Sequence, residues 1–142
     1  MKSDQATLFN KIKDDLMKAL GHLKYSLTKS LKILTKTTFT EDDLESLEGF
    51  GSRFARASDI VIQRYFRLKA LSHDPGFRGS VVDILNVAEK EGWISSAEIW
   101  RRVRELRNVT AHEYSESEIR DLYTEMTRLA PLLLDLIRDL DE

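Results

Sequence analysis

Apolar residues recur every three or four positions along almost the whole chain, the spacing of one face of an α-helix. Phe9, Ile12, Leu16, Leu20, Leu23, Leu27, Leu31 and Leu34 form a first stripe, interrupted at Gly21. A mostly polar run from Thr35 to Thr40 ends it. Thr40-Glu41-Asp42-Asp43 then reads as a helix start, with a hydroxyl placed to accept an orphan backbone N–H. Leu47, Phe50, Phe54, Ala57, Val61, Tyr65 and Leu68 share one face of a second helix, which Asp74-Pro75-Gly76 closes with a turn.

Val81, Ile84, Leu85 and Ala88 predict a shorter third helix ending at Gly92. Ser95-Ser96-Ala97-Glu98 reads as a capping box for a fourth, with Ile99, Val103 and Leu106 facing inward. Ser115-Glu116-Ser117-Glu118 reads as a second box. It opens a fifth helix carrying Ile119, Leu122, Met126, Leu129, Leu133, Leu136 and Leu140 in a coiled-coil-like seam. Pro131 lies within that seam and is expected to kink the helix or end its first half. No alternating strand pattern competes. The expectation is an all-α, up-and-down bundle of four to five helices, with residues 1–142 forming a single domain. Short connections predict antiparallel neighbours.

Composition narrows the class further. A chain of 142 residues buries a real core without staples, and two prolines and six glycines are too few for a turn-rich β-sandwich. The absence of cysteine excludes disulfides and thiolate metal sites and points to a reducing cytoplasm. No apolar run is long enough to span a bilayer, and Met1-Lys2-Ser3-Asp4-Gln5 leads into an amphipathic pattern rather than an apolar signal region. A net charge of −2 excludes a broad electrostatic nucleic-acid binder. Arg101, Arg102, Arg104 and Arg107 nevertheless make a local basic patch, compatible with a phosphate site or with a solvated helix face.

That patch leads into Arg107-Asn108-Val109-Thr110-Ala111-His112-Glu113-Tyr114. Arginine grips phosphate as a planar fork of donors, and histidine exchanges protons near neutral pH. On an unbroken helix Arg107 and His112 would differ by roughly 140° in direction. The second capping box puts a junction here, where a bend lets them converge beside a helix N-terminus that favours anions. Attack of a ribose 2′-hydroxyl on its adjacent phosphate needs a base, an acid for the leaving 5′-oxygen and a cation. Imidazole suits the first two roles and Arg107 the third, with Asn108 orienting the imidazole or bonding a phosphate oxygen. The products would be a 2′,3′-cyclic phosphate and a 5′-hydroxyl. In-line displacement sets base and acid on opposite sides of phosphorus. His22 and His73 lie in other elements, so a two-fold dimer is the way for His112 to supply both.

The pattern Arg107-x4-His112-x-Tyr114, with Asn108 directly after the arginine, resembles the signature of HEPN-domain proteins, and more narrowly the HepT toxins of HepT–MntA toxin–antitoxin pairs. The resemblance covers nearly the whole chain. Phe54-Ala55-Arg56-Ala57-Ser58-Asp59, followed by Gln63-Arg64-Tyr65-Phe66, also resembles the second helix of such proteins. It implies a metal-independent endoribonuclease with catalytic Arg107 and His112, acting without a cofactor. It also implies homodimerisation through the motif-bearing helices and a partner nucleotidyltransferase antitoxin that adds AMP to Tyr114. A bulky phosphate group two residues from His112 would block the cleft by size and charge. The runner-up is a non-catalytic binding subunit of that nucleotidyltransferase.

Each residue also has a plainer reading. Arg107 alone suits an ion pair with a carboxylate such as Glu113, His112 a helix cap, and Tyr114 a half-packed phenol at the core edge. Arg53, Arg56, Arg64 and Arg67 fall on one stripe of the second helix. They read mainly as a salt-bridged flank, with Arg53 and Arg56 the candidates for RNA or antitoxin contact. Trp93 and Trp100 read as core or dimer anchors. No metal-ligand spacing and no glycine-rich phosphate loop occurs.

Overall fold

The computed structural model describes residues 2–108 and 114–140, and over these the chain is helical with no strand. The elements are α1 (Lys2–Ile33), α2 (Glu41–Asp59), a π-helical segment (Ile60–Phe66), α3 (Arg67–His73), α4 (Val81–Lys90), α5 (Ala97–Leu106), α6 (Glu116–Leu134) and α7 (Leu136–Leu140). This is the expected all-α bundle.

Their boundaries follow from local chemistry. Thr40 caps α2 reciprocally: its hydroxyl accepts from the Asp43 N–H at 3.1 Å, and its own N–H donates to Asp43 at 2.9 Å. Ser80 and Asp83 repeat the arrangement at α4. Gly92, at φ +79°, follows α4 in the left-handed region that glycine enters without strain. The α5 cap is one residue later than the sequence suggests. Ser96 accepts from the Ile99 N–H, and Glu89 of α4 accepts from the Ala97 N–H at 2.7 Å. A carboxylate from the preceding helix thus satisfies an orphan donor of the first turn, where the sequence suggested a box closed locally by Ser95 and Glu98. Pro131 lies inside α6, which runs three residues further before Asp135 breaks it and α7 begins.

The second rod is not a uniform α-helix. Ile60, Val61, Ile62, Tyr65 and Phe66 are all buried, a set too wide for one α-helical stripe. The i→i+5 geometry of a π turn stacks Ile60 over Tyr65 and Val61 over Phe66, which brings both pairs to the core. Phe66 packs there against Trp100 and Trp93, with ring centroids 5.4 and 6.0 Å away. Trp100, Val103 and Leu106 form the inner face of α5, whereas Ile99 is 44% exposed. The bulky indole takes the core position, and Ile99, one residue or about 100° away, is turned out.

Cross-contacts give the helix directions. Arg53 reaches His22 and Ser26, Arg64 reaches Asp15, and Phe9 packs on Tyr65, so α1 and the second rod run antiparallel. Arg102 pairs with Glu125, setting α5 against α6. The core joins all of these, with Leu16, Leu20, Leu23, Phe50, Phe54, Ile84 and Leu133 fully enclosed.

Candidate functional site

Arg107 follows the last residue of α5 as its C-cap. Its Nε donates to Asp59 at 2.5 Å and its Nη1 donates to the Asn108 side-chain oxygen at 2.7 Å. Arg107 and Asp59 are each about one-third exposed, at 34% and 36%. The Asp59 hydrogen bond, reinforced by its charge, raises the Arg107 pKa further above its ordinary range, so the group is a permanent cation. The sequence suggested an ion pair with a nearby carboxylate, of which Glu113, outside the described residues, was one example. Asp59 fills that role from the far end of α2, where the π-helical segment begins.

His112 and Glu113 lie outside the described residues. The two motif positions flanking them are described. Asn108 is exposed, with its carbonyl oxygen occupied by Arg107. Tyr114 is 41% exposed and borders a concavity between α5 and α6 with Arg102, Glu118, Asp121, Leu122 and Glu125. Three carboxylates therefore share the space beside its ring. One of them, Glu125, is held below its usual pKa chiefly by hydrogen bonds from Arg102.

The start of α6 carries its own charge compensation. Ser115 caps the helix, and its hydroxyl also donates to Glu118 at 2.9 Å. Glu116 in the same turn accepts from the Phe39 N–H at 3.2 Å. The positive end of the dipole thus already faces two carboxylates of its own first turn, which weakens its expected pull on a phosphate.

The arginines separate by partner. Arg53 donates to the Ser26 hydroxyl at 2.7 Å and to the His22 carbonyl at 3.2 Å, so it pins α2 to α1. Arg64 pairs with Asp15, and Arg67 donates to Gln63 and the Gly79 carbonyl. Arg56 is exposed and has no hydrogen-bond or ion-pair partner among the described residues. It precedes Asp59 by three residues, one turn along the same face. Of the two arginines singled out on this helix, Arg53 is committed to α1 and Arg56, one turn before Asp59, is not paired among the described residues.

The patch before the motif is likewise partly neutralised: Arg102 is bonded to Glu125 through two nitrogens and to Glu105 through a third. Trp100 belongs to the core, and Trp93 is half-buried against it and receives Lys69 over its ring at 4.5 Å. Sequence reasoning missed Asp59 as part of the site. Its signals in the sequence are its place three residues after Arg56 and at the end of the segment that resembles the second helix of HEPN proteins, and no spacing rule pairs residues 48 apart. Among the described residues no group of three metal-ligating side chains converges, and no helix is long and apolar enough to cross a membrane. Comparison with family models, curated proteins and solved structures returns no match for this chain.

Proposed function

We propose that this chain is a HEPN-type protein of the HepT kind: a metal-independent endoribonuclease toxin that cleaves RNA by 2′-hydroxyl attack. The observation that carries the reading is the Arg107 fork. The guanidinium is fixed at Nε by Asp59 and at Nη1 by Asn108, five residues before His112 in the sequence. A cation oriented in advance stabilises charge developing on a phosphate without reorganising during the reaction. His112 of each protomer in a homodimer supplies one of the two proton transfers, with Arg56 as a further phosphate contact. A nucleotidyltransferase antitoxin, in this reading, adds AMP to Tyr114, which is 41% exposed, and so closes the cleft.

One observation favours the alternative of a non-catalytic binding subunit. Asp59 already offsets the Arg107 charge, and the concavity that Tyr114 borders holds three carboxylates against one cation, Arg102, which is itself bonded to Glu125 and Glu105. Such a setting presents a tyrosine better than it holds RNA. Expression with and without the neighbouring gene product separates the two. The toxin reading expects growth arrest without the partner, lost in His112→Ala, and a mass increase in multiples of AMP with the partner, lost in Tyr114→Phe. AMP addition without growth arrest selects the binding subunit, and neither effect rejects both.

A further inference from the structure

The outward face of α1 has a charge pattern unlike the rest of the molecule. From Leu16 to Lys36 the sequence carries Lys18, Lys24, Lys29, Lys32 and Lys36 and no Asp or Glu, although the whole chain is slightly acidic. Lys36 is committed to Asp43. Lys18, Lys24, Lys29 and Lys32 are all exposed and have no carboxylate partner among the described residues. Solvated lysines with internal partners would be an ordinary helix face, but these have none.

Two further features coincide with them. Among the described residues Tyr25 is the most exposed of the large hydrophobic side chains, at 69%. Gly21 lies one turn before it, and a Cβ built there meets nothing within 4 Å. Glycine inside an exposed helix costs roughly 1 kcal/mol against alanine, and no packing inside this chain requires it. The missing side chain opens a shallow concavity lined by Gly21, Lys24, Tyr25, Thr28, Lys29 and Lys32. Gly21, Tyr25, Thr28 and Lys32 follow one helical stripe about 16 Å long, on the side of α1 away from the buried Leu16, Leu20 and Leu23.

We propose that this face binds single-stranded RNA, with the lysines along the phosphate backbone and a base stacked on Tyr25 over the Gly21 notch. An unpaired row of cations attracts a polyanion through counterion release, and an exposed ring offers a stacking surface for any base. An acidic protein would satisfy the lysines but leave the ring and the notch without a role. The choice of RNA rests on the ribonuclease reading. Binding here does not require cleavage, so the two ideas fail separately.

The test measures binding of a short fluorescent oligo(U) to the Arg107→Ala protein at several salt concentrations, with a duplex RNA for comparison. Replacing Lys24, Lys29 and Lys32 by Gln is expected to flatten the slope of log K against log salt by about 2, near 0.7 for each single-strand phosphate contact. Tyr25→Ala is expected to weaken oligo(U) binding roughly tenfold with the slope unchanged, through lost stacking. Gly21→Leu, which fills the notch in open space, is expected to act like Tyr25→Ala. The proposal is overturned if oligo(U) does not bind, if the lysine variant keeps the slope, or if duplex binds as well as oligo(U) and Tyr25→Ala is silent. It is also overturned if the lysine variant loses only an acidic protein partner or self-association. Circular dichroism of each variant checks that the helices are intact.

Discussion

Arg107 and Asp59 join the end of α5 to the end of α2 through a guanidinium–carboxylate pair spanning 48 residues of sequence. Asp59 also marks the point where the second rod changes from α to π geometry. The pitch change that buries Val61 and Phe66 together therefore begins at the residue that orients Arg107. π turns are frequent at functional sites, and here one adjoins the cation of the candidate site.

Asp59 is accordingly a positioning residue for Arg107. Asp59→Asn is expected to lower RNA cleavage roughly tenfold to a hundredfold, the scale of a misplaced catalytic group. Asp59→Glu is expected to recover part of the loss. Thermal unfolding should hardly move in either, because a pair about one-third exposed contributes little to stability. Equal losses of melting temperature and cleavage would make the pair structural.

Arg120 carries a second long-range link. Its guanidinium donates to the carbonyls of Leu34, Lys36 and Thr37 and lies 4.3 Å from the Phe39 ring centroid. With Glu116 on the Phe39 N–H, the start of α6 clasps the α1–α2 connection. Arg120→Ala is expected to cost about 2 kcal/mol in urea unfolding, from charge-assisted bonds to carbonyls that lose their partner. Arg120→Lys should restore only part of this, since one ammonium cannot reproduce the fork. A loss no larger than that of a surface substitution would remove the clasp from the account.

Asp43 provides a pH test. The Thr40 N–H and the Lys36 ammonium, with help from the Thr40 hydroxyl, hold its pKa below the ordinary value against the opposing effect of burial. A lowered native pKa means that the carboxylate stabilises the fold fully above its unfolded pKa of about 4. That contribution is lost as pH falls through the lower native value. Asp43→Asn is therefore expected to lower the melting temperature at neutral pH, with the deficit against wild type shrinking in acid. A deficit unchanged by acid contradicts the assignment.

Legibility in the sequence divided along the range of the interactions. Helical stripes report which side of an element is apolar, so Met126, Leu133, Leu136 and Leu140 of the expected seam are buried, whereas Ile119, Leu122 and Leu129 are half-buried and Tyr123 and Ala130 take core positions beside them. Thr40 was legible because a capping hydroxyl acts within one turn. Ile99 failed because a tryptophan one position away outcompetes it for the core. Ser95 failed because the partner that completes the α5 start is Glu89, on another helix. The π geometry leaves only the crowded run Ile60-Val61-Ile62 and Tyr65-Phe66 as its trace. At the candidate site, Arg107 and Asn108 could be picked out by residue type and spacing. Asp59 and the commitment of Arg53 to α1 arise from tertiary contacts, on which local spacing is silent.

The most direct measurement of the central claim is RNA cleavage by the purified, unmodified protein in the presence of a metal chelator. The expected products end in 2′,3′-cyclic phosphate and 5′-hydroxyl, and cleavage is expected to be lost in Arg107→Ala and in His112→Ala with the fold retained. Absence of cleavage by the wild type, or cleavage that persists in both variants once contaminating nuclease is excluded, would contradict that claim.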